Sequence, residues 1–233
     1  MAVRNNDVDG ANIAFTNPSD IFTSTPFSAM AWCKLYSGGS NPTNRAIILV
    51  WDNPSDKSWA IRTDTTGSLV LRCTVSFDGS ANNTLVGSTV LSLDTWFHAG
   101  MDFDGTDQHL WLNGVLEATL NDPGTVFNSG EGFGIGGTGD GGNQMDDDIA
   151  DARYYDRILS AEEWLTIFTA RGHDGIVDGL SARPILDDFP PGTSLVPSNA
   201  SDQGPNQIPY FRSYGAPRPT YVEGPGLSSR KRV

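Results

Sequence analysis

Glutamate is nearly missing from this 233-residue chain: there are five, at positions 117, 131, 162, 163 and 223, against 23 aspartates. Aspartate favours turns and caps over helix interiors, so the skew argues against a helical bundle. Basic residues are also few. Fifteen Lys and Arg against 28 acidic residues leave a net charge of −13, which repels a phosphate backbone and excludes free nucleic-acid binding. No stretch approaches about 18 consecutive apolar residues, so no membrane span is expected. The opening MAVRNNDVDG has no apolar run behind its arginine, and no secretory signal is expected there. Two cysteines, Cys33 and Cys73, are too few for a disulfide scaffold. Each sits among alternating apolar residues and is read as a buried thiol.

What the chain has in quantity is turn-forming residues, 26 Gly and 14 Pro. Between Asn12 and Asp156, short period-two segments alternate with clusters of these breakers. In Ser68–Val75, for example, Leu69, Leu71, Cys73 and Val75 share one face, with Val70 and Arg72 on the other. Asn113-Gly114 between two such runs is a strong hairpin signal, because a type I′ turn needs positive φ at both central residues. About ten strands at this spacing predict an all-β, two-sheet antiparallel sandwich. One helix is expected after Ser160, which with Glu163 forms a capping box, with Leu159 and Trp164 as a hydrophobic staple and Gly172 as a stop. Past residue 174 the texture changes. Nine of the prolines lie from Pro184 onward, so residues 1–174 are assigned to the sandwich and 175–233 to an extended Pro-rich arm, not expected to sustain ladders. The arm still carries Phe189, Tyr210, Phe211, Tyr214 and Tyr221, and it ends in Arg230, Lys231 and Arg232. These residues are expected to dock on the chain's own domain or on a neighbouring subunit.

The segments TPFSAMAWCKL, DTWFHAGMDFDGTDQHLWLNGVLEAT, FGIGG and DDDIADARYYDRILSAEEW follow the order and spacing of laminin G-like, concanavalin A-like jelly rolls. The resemblance covers about residues 8–170, and its most specific part is the strand ending in Tyr-Tyr-Asp-Arg followed by a helix start. That stretch also resembles pentraxins. The Pro-rich extension, with PPGT, DQGPNQ and PTYVEGPGLSSRKRV, is similar to laminin G-like proteins encoded by tailed bacteriophages. This resemblance implies a non-enzymatic virion protein, a capsid decoration or cement protein with capsid and sister subunits as partners, on the virion surface. The alternative it leaves open is a glycan-binding lectin module for adsorption to polysaccharide.

The same fold hosts retaining glycosidases, whose two Glu in a Glu-x-Asp-x-(x)-Glu strand place their carboxyls about 5–5.5 Å apart. No pair among the five Glu has that arrangement, so no catalytic residue is expected. His98, in TWFHAG, is read as a structural strand position. Calcium needs six to eight oxygen ligands, as Asp-rich loops supply. Asp102-x-Asp104-Gly-Thr-Asp107 has a fragment of such a loop and is read as a hairpin turn. The loop 136–148 resembles the calcium loop of pentraxins and keeps Asp140 and Asp146, which makes them candidates for one structural Ca²⁺, although Gly-Gly-Thr-Gly stands where acidic and amide residues are expected. For glycan stacking the candidates are Trp51 and Trp59, flanking a loop that begins at Asp52. The alternative for both tryptophans is burial at strand ends.

Overall fold

A computed structural model describes residues 2–4, 12–15, 22–36, 45–52, 56–64, 67–138, 147–185, 201–202, 211–214 and 220–222. In chain order the strands are β1 (Ala2–Arg4), β2 (Asn12–Phe15), β3 (Phe27–Lys34), β4 (Ala46–Asp52), β5 (Asp56–Asp64) and β6 (Val70–Val75). They continue as β7 (Asn83–Val86), β8 (Trp96–Phe103), β9 (Asp107–Leu112), β10 (Val115–Asn121), β11 (Phe133–Ile135) and β12 (Asp148–Tyr155). After the helix α1 (Ala161–Ala170) come β13 (Leu180–Ala182), β14 (Pro184–Ile185), β15 (Ser201–Asp202), β16 (Phe211–Tyr214) and β17 (Thr220–Val222). The first sheet runs β10-β9-β8-β3-β12-β1-β17, with β13 also on β12; the second runs β16-β2-β11-β4-β5-β6-β7; β14 and β15 form a small pair. All the pairings are antiparallel. The molecule is the expected two-sheet jelly-roll sandwich.

Strand alternation decides which residues meet between the sheets. Phe27, Ala29, Ala31 and Cys33 of β3 point inward with Phe97, Ala99, Met101 and Phe103 of β8. From the other sheet they meet Trp59 and Ile61 of β5 and Leu71, Cys73 and Val75 of β6. Both cysteines are buried free thiols, and desolvation raises the pKa of each. The turn between β9 and β10 has φ of 53° at Asn113 and 76° at Gly114, as its sequence predicts. The turn between β8 and β9 is closed by Asp104, whose Oδ1 accepts from the N–H groups of Thr106 and Asp107 at 2.7 and 2.8 Å.

Helix α1 begins with the predicted capping box: Glu163 N donates to Ser160 Oγ, and Ser160 N to Glu163 Oε2. It ends at Arg171, whose φ of 48° and ψ of 50° are left-handed, ahead of Gly172. The helix lies on the outside of the first sheet. Gly100 on β8 makes this possible, since a Cβ there would sit 2.3 Å from Trp164 Cζ3.

Beyond residue 174 the chain pairs more than its prolines suggest. β13 joins β12, β17 joins β1 and β16 joins β2, so this segment does enter both sheets. The prolines are accommodated because these strands have two to four residues and β16 and β17 lie at sheet edges, where few ladder N–H groups are needed. Leu180 and Ala182 are buried, so the sandwich packing runs past residue 174.

Candidate functional site

The two outer faces of the sandwich are built differently. On the first sheet, α1 and the segment after it cover Trp32, His98, Trp111 and Tyr155. Trp164 stacks on Trp111 with ring centroids 5.0 Å apart, and Phe168 stacks on Trp32 at 5.4 Å. His98 is buried among Trp32, Trp164 and Phe168. Burial, the largest influence, pulls its pKa down to about 4, with Asp151 and Asp174 opposing and Arg153 assisting. It occupies a structural strand position. Beside it Asp102 accepts from Trp111 Nε1 and pairs with His109 Nδ1, each at 2.6 Å. The hydrogen bond to Asp102 raises the pKa of His109.

The charges on this covered face are closed among themselves. A bulge in β12 gives Asp151 a φ of 48° and turns it toward Arg153. Arg153 Nε and Nη2 donate to the two carboxylate oxygens of Asp151 at 3.0 and 2.6 Å. Its Nη1 and Nη2 also donate to Asp174 at 2.9 and 2.7 Å, and Arg183 Nε completes Asp151 at 2.7 Å. Burial disfavours charged Asp174, but Arg153 outweighs it and draws the carboxyl down to about 2. Arg153, Asp151 and Asp174 thus neutralise each other out of water, as buried charges require, with the partly exposed Arg183 closing the group.

The outer face of the second sheet is also largely buried: Ala46, Leu49 and Ala60 are fully buried there, and Trp51 and Thr74 nearly so. Alternation along β4 to β7 presents Trp51, Ala60, Arg62, Asp64, Arg72, Thr74 and Thr84 there, while Trp59, Ile61 and Leu85 point into the core. Arg62 lies directly across from Arg72 in the β5–β6 register. The Arg62 guanidinium stacks 3.9 Å above the Trp51 ring, and Lys57 Nζ approaches the same ring at 5.3 Å. Arg72 Nη1 donates to Asp64 Oδ2 at 3.3 Å. Arg62 is only 6% exposed, and its Nε and Nη2 are buried with no hydrogen-bond partner. Desolvation first, and then the charge of Arg72, lower its pKa to about 9, which leaves it a cation at neutral pH.

This geometry corrects the expectation for the tryptophans. Trp59 is fully buried in the core, where its Nε1 donates to Phe22 O at 2.6 Å and its ring contacts Phe27, Phe133 and Tyr154. Trp51 is on the outer face but 5% exposed and covered by Arg62, so it is a floor for a cation and not a free stacking platform. The backbone of Asp52 ends β4; its side chain lies outside the described set. Arg62 was not among the sequence candidates. The alternation of β5 and β6 can assign Arg62 and Arg72 to polar faces, but only the strand register puts them side by side.

Asp140 and Asp146 lie outside the described residues, as do Phe189, Tyr210, Arg230, Lys231 and Arg232. Phe211, Tyr214 and Tyr221 are described as backbone only, in β16 and β17. Among the described residues no three His, Cys, Asp or Glu side chains converge on a metal position, and no helix is long and apolar enough to cross a membrane. Of the acids near the candidate calcium loop, Asp147 pairs with Arg45 at 3.0 Å and Asp148 accepts from Tyr36 Oη at 2.6 Å. Glu117 accepts from Ser88 and Thr89 N–H, and Glu163 holds Arg157 and the helix cap.

The jelly-roll topology defines the class, a lectin-like β-sandwich. Residues 8–163 match the family described as the concanavalin A-like lectin/glucanases superfamily, laminin G type, and the chain belongs to that family. No curated protein sequence matches it. Among solved structures it resembles a heptameric SAP-like pentraxin from Limulus polyphemus, with 12% identity, 91% of this chain and 94% of that one covered, and a TM-score of 0.60. A candidate carbohydrate binding protein from Bacteroides ovatus is 14% identical over 89% of this chain, which spans 59% of that one, with a TM-score of 0.63. The CBM40 of a Ruminococcus gnavus sialidase, bound to α2,3 sialyllactose, is 14% identical over 70% of this chain and 96% of that one, with a TM-score of 0.54. At these identities the likeness establishes the fold.

Proposed function

We propose that this chain is a non-catalytic carbohydrate-binding module that engages a glycan on the outer face of its second sheet. The observation carrying this reading is the asymmetry of the two faces. The first is sealed by α1, whereas the second presents the half-buried Lys57, Arg72 and Thr84, the last hydrogen-bonded to Thr74. Polar groups on a rigid sheet suit sugar hydroxyls. The solved relatives named above support the reading. A non-enzymatic role is supported by Asp64 being held by Arg72, and by Glu117 and Glu163 serving the backbone and the helix cap. A glycan array probed with the intact chain tests the function, and Thr84→Trp and Arg72→Glu test the place. Binding should fall more than tenfold in both variants and persist in Leu165→Ser on the exposed side of α1. Unchanged binding in both would move the site elsewhere, and a silent array would end the reading.

A second reading concerns the setting, as an accessory protein on the surface of a tailed-phage particle. It is favoured by β16 and β17, which the C-terminal segment contributes at the outer ends of the two sheets. A terminal edge strand can equally pair with a sister subunit or a capsid protein, and proline lowers the entropy lost on ordering it. The aromatic residues Phe189, Tyr210, Phe211, Tyr214 and Tyr221 and the basic end Arg230, Lys231 and Arg232 would make those contacts. Removing residues 203–233 should abolish particle association; a truncated chain that still assembles normally would rule this setting out.

A further inference from the structure

Four strands end the two large sheets, and they are not alike. β17, β16 and β7 have three or four residues, whereas β10 has seven. A long edge strand presents a row of unpaired N–H and C=O groups that a short one does not. Among the described residues β10 pairs with β9 alone, and its sequence VLEATLN holds neither the lysine nor the proline that commonly blunts an edge. A bulge between Leu116 and Ala118 divides it and leaves Ala118–Asn121 in regular register. Exposed apolar side chains gather around the same strand. Val115 and Leu116 are 61% and 44% exposed. The exposed Leu165 of α1 is next to them, its Cα 3.0 Å from where a Cβ on Gly114 would be. Glu117 Oε1 accepts from Ser88 and Thr89 N–H at 2.9 and 2.6 Å, which brings the segment carrying the exposed Val86 and Val90 alongside. Between Arg72 and Arg153 the chain has no lysine or arginine. Asp104, Asp107 and Asp122 stand at the far end of β10, where Asn121 Nδ2 donates to Asp107 at 2.8 Å.

We infer that β10 is the docking edge for a second copy of this chain, whose residues 226–233 add to it as an extended strand. The inference rests on the second reading above, in which the basic end contacts a sister subunit, and it names the surface that receives that end. Residues 226–233, GLSSRKRV, contain no proline, so each can donate to a ladder. They join Leu227 to Arg230, Lys231 and Arg232, the complement of a strand with an apolar head and an acidic foot. Geometry requires the second copy. β17 is the strand of the first sheet farthest from β10, about 29 Å away at about 4.8 Å per strand. An extended chain from Val222 to Arg230 covers about 27 Å, so it cannot cross the sheet and still lie along β10. A neighbour's segment meets no such limit, and its cations offset the repulsion between two chains of net charge −13. The contact is head-to-tail, because the donated segment and the receiving edge are different surfaces.

Sedimentation velocity over a concentration series tests this, with near-ultraviolet circular dichroism checking the fold of each variant. The intact chain should self-associate at about 50 mM salt, and about tenfold more weakly at about 500 mM. Two variants should each stay monomeric alone. Removal of residues 226–233 leaves the edge without the segment, and Val115→Lys with Leu116→Lys leaves the segment without the edge. Mixed, the two should form a one-to-one pair, since each supplies what the other lacks. Arg230→Glu, Lys231→Glu and Arg232→Glu together should weaken association of the otherwise intact chain by about tenfold or more. An intact chain that is monomeric throughout, self-association that survives in either monomeric variant, or a mixture that does not pair overturns the inference. The sister-subunit reading is then decided separately, by whether removing residues 203–233 abolishes particle association.

Discussion

On the outer face of the first sheet, Arg153 sits between Asp151 and Asp174 under a helix; on the outer face of the second, Arg62 sits beside another arginine with no acid on its side-on edge. Both guanidiniums are buried, Arg153 fully and Arg62 nearly so. What differs is whether the fold supplies the counter-charge. Arg153 makes five hydrogen bonds, four to carboxylate oxygens and one to Tyr155 Oη, whereas the side-on edge of Arg62, its Nε and Nη2, makes none.

The comparison can be broken most severely at the cover. Trp164→Ala removes the ring that fills the space over Gly100 and stacks on Trp111, and it should cost about 3–5 kcal/mol of unfolding free energy in denaturant titrations. The same substitution made on both faces then sharpens it. Arg153→Met leaves two buried carboxylates short of their main partner and should cost about 3–5 kcal/mol. Acid should act on the covered face as well. His98 has an unfolded pKa of 6.5 and a folded one of about 4, so between those values the unfolded chain takes up a proton that the folded chain refuses. The contribution is whole above pH 6.5 and declines as the pH falls toward 4, by up to about 3 kcal/mol at 1.4 kcal/mol per unit. Asp151, Arg153 and Asp174 face this ring, the two acids tempering the shift and Arg153 adding to it; a melting temperature that stays level over that window, or declines identically in His98→Phe, would contradict it. The smallest effect is expected on the second sheet. Arg62→Met should change stability by no more than about 1 kcal/mol, and in the stabilising direction, because it removes a buried charge with no counter-ion. A loss as large as that of Arg153→Met would mean the two guanidiniums are equivalent after all.

Much of the frame is legible in one dimension. The period-two runs, the Asn113-Gly114 turn, the Ser160–Glu163 capping box and the inward cysteines all follow from local rules and all recur in the structure. The tryptophans show where such rules stop. Trp51 and Trp59 flank one turn, and composition alone does not say which points inward. A β-bulge between Val50 and Trp51 sets the phase, sending Trp59 to the core and Trp51 outward beneath Arg62. Asp151 behaves likewise: within DDDIADAR it is one acid among several, and the bulge in β12 aims it at Arg153. The weak ladder potential expected of the Pro-rich segment was a local property, and the sheet edges overrode it.

By itself, then, the sequence determined the class of the protein. Alternation, turn chemistry and a shortage of Glu are short-range properties, and together they require a β-sandwich without the paired glutamates of the fold's hydrolases. The pairing of distant strands decided the rest. Arg62 and Arg72 are ten positions apart in the chain and become neighbours through register, whereas Asp151 and Asp174 reach one guanidinium through a bulge and the turn after a helix. Electrostatics depends on distance in space, so which arginine is neutralised and which lacks a counter-charge exists only once the strands are aligned.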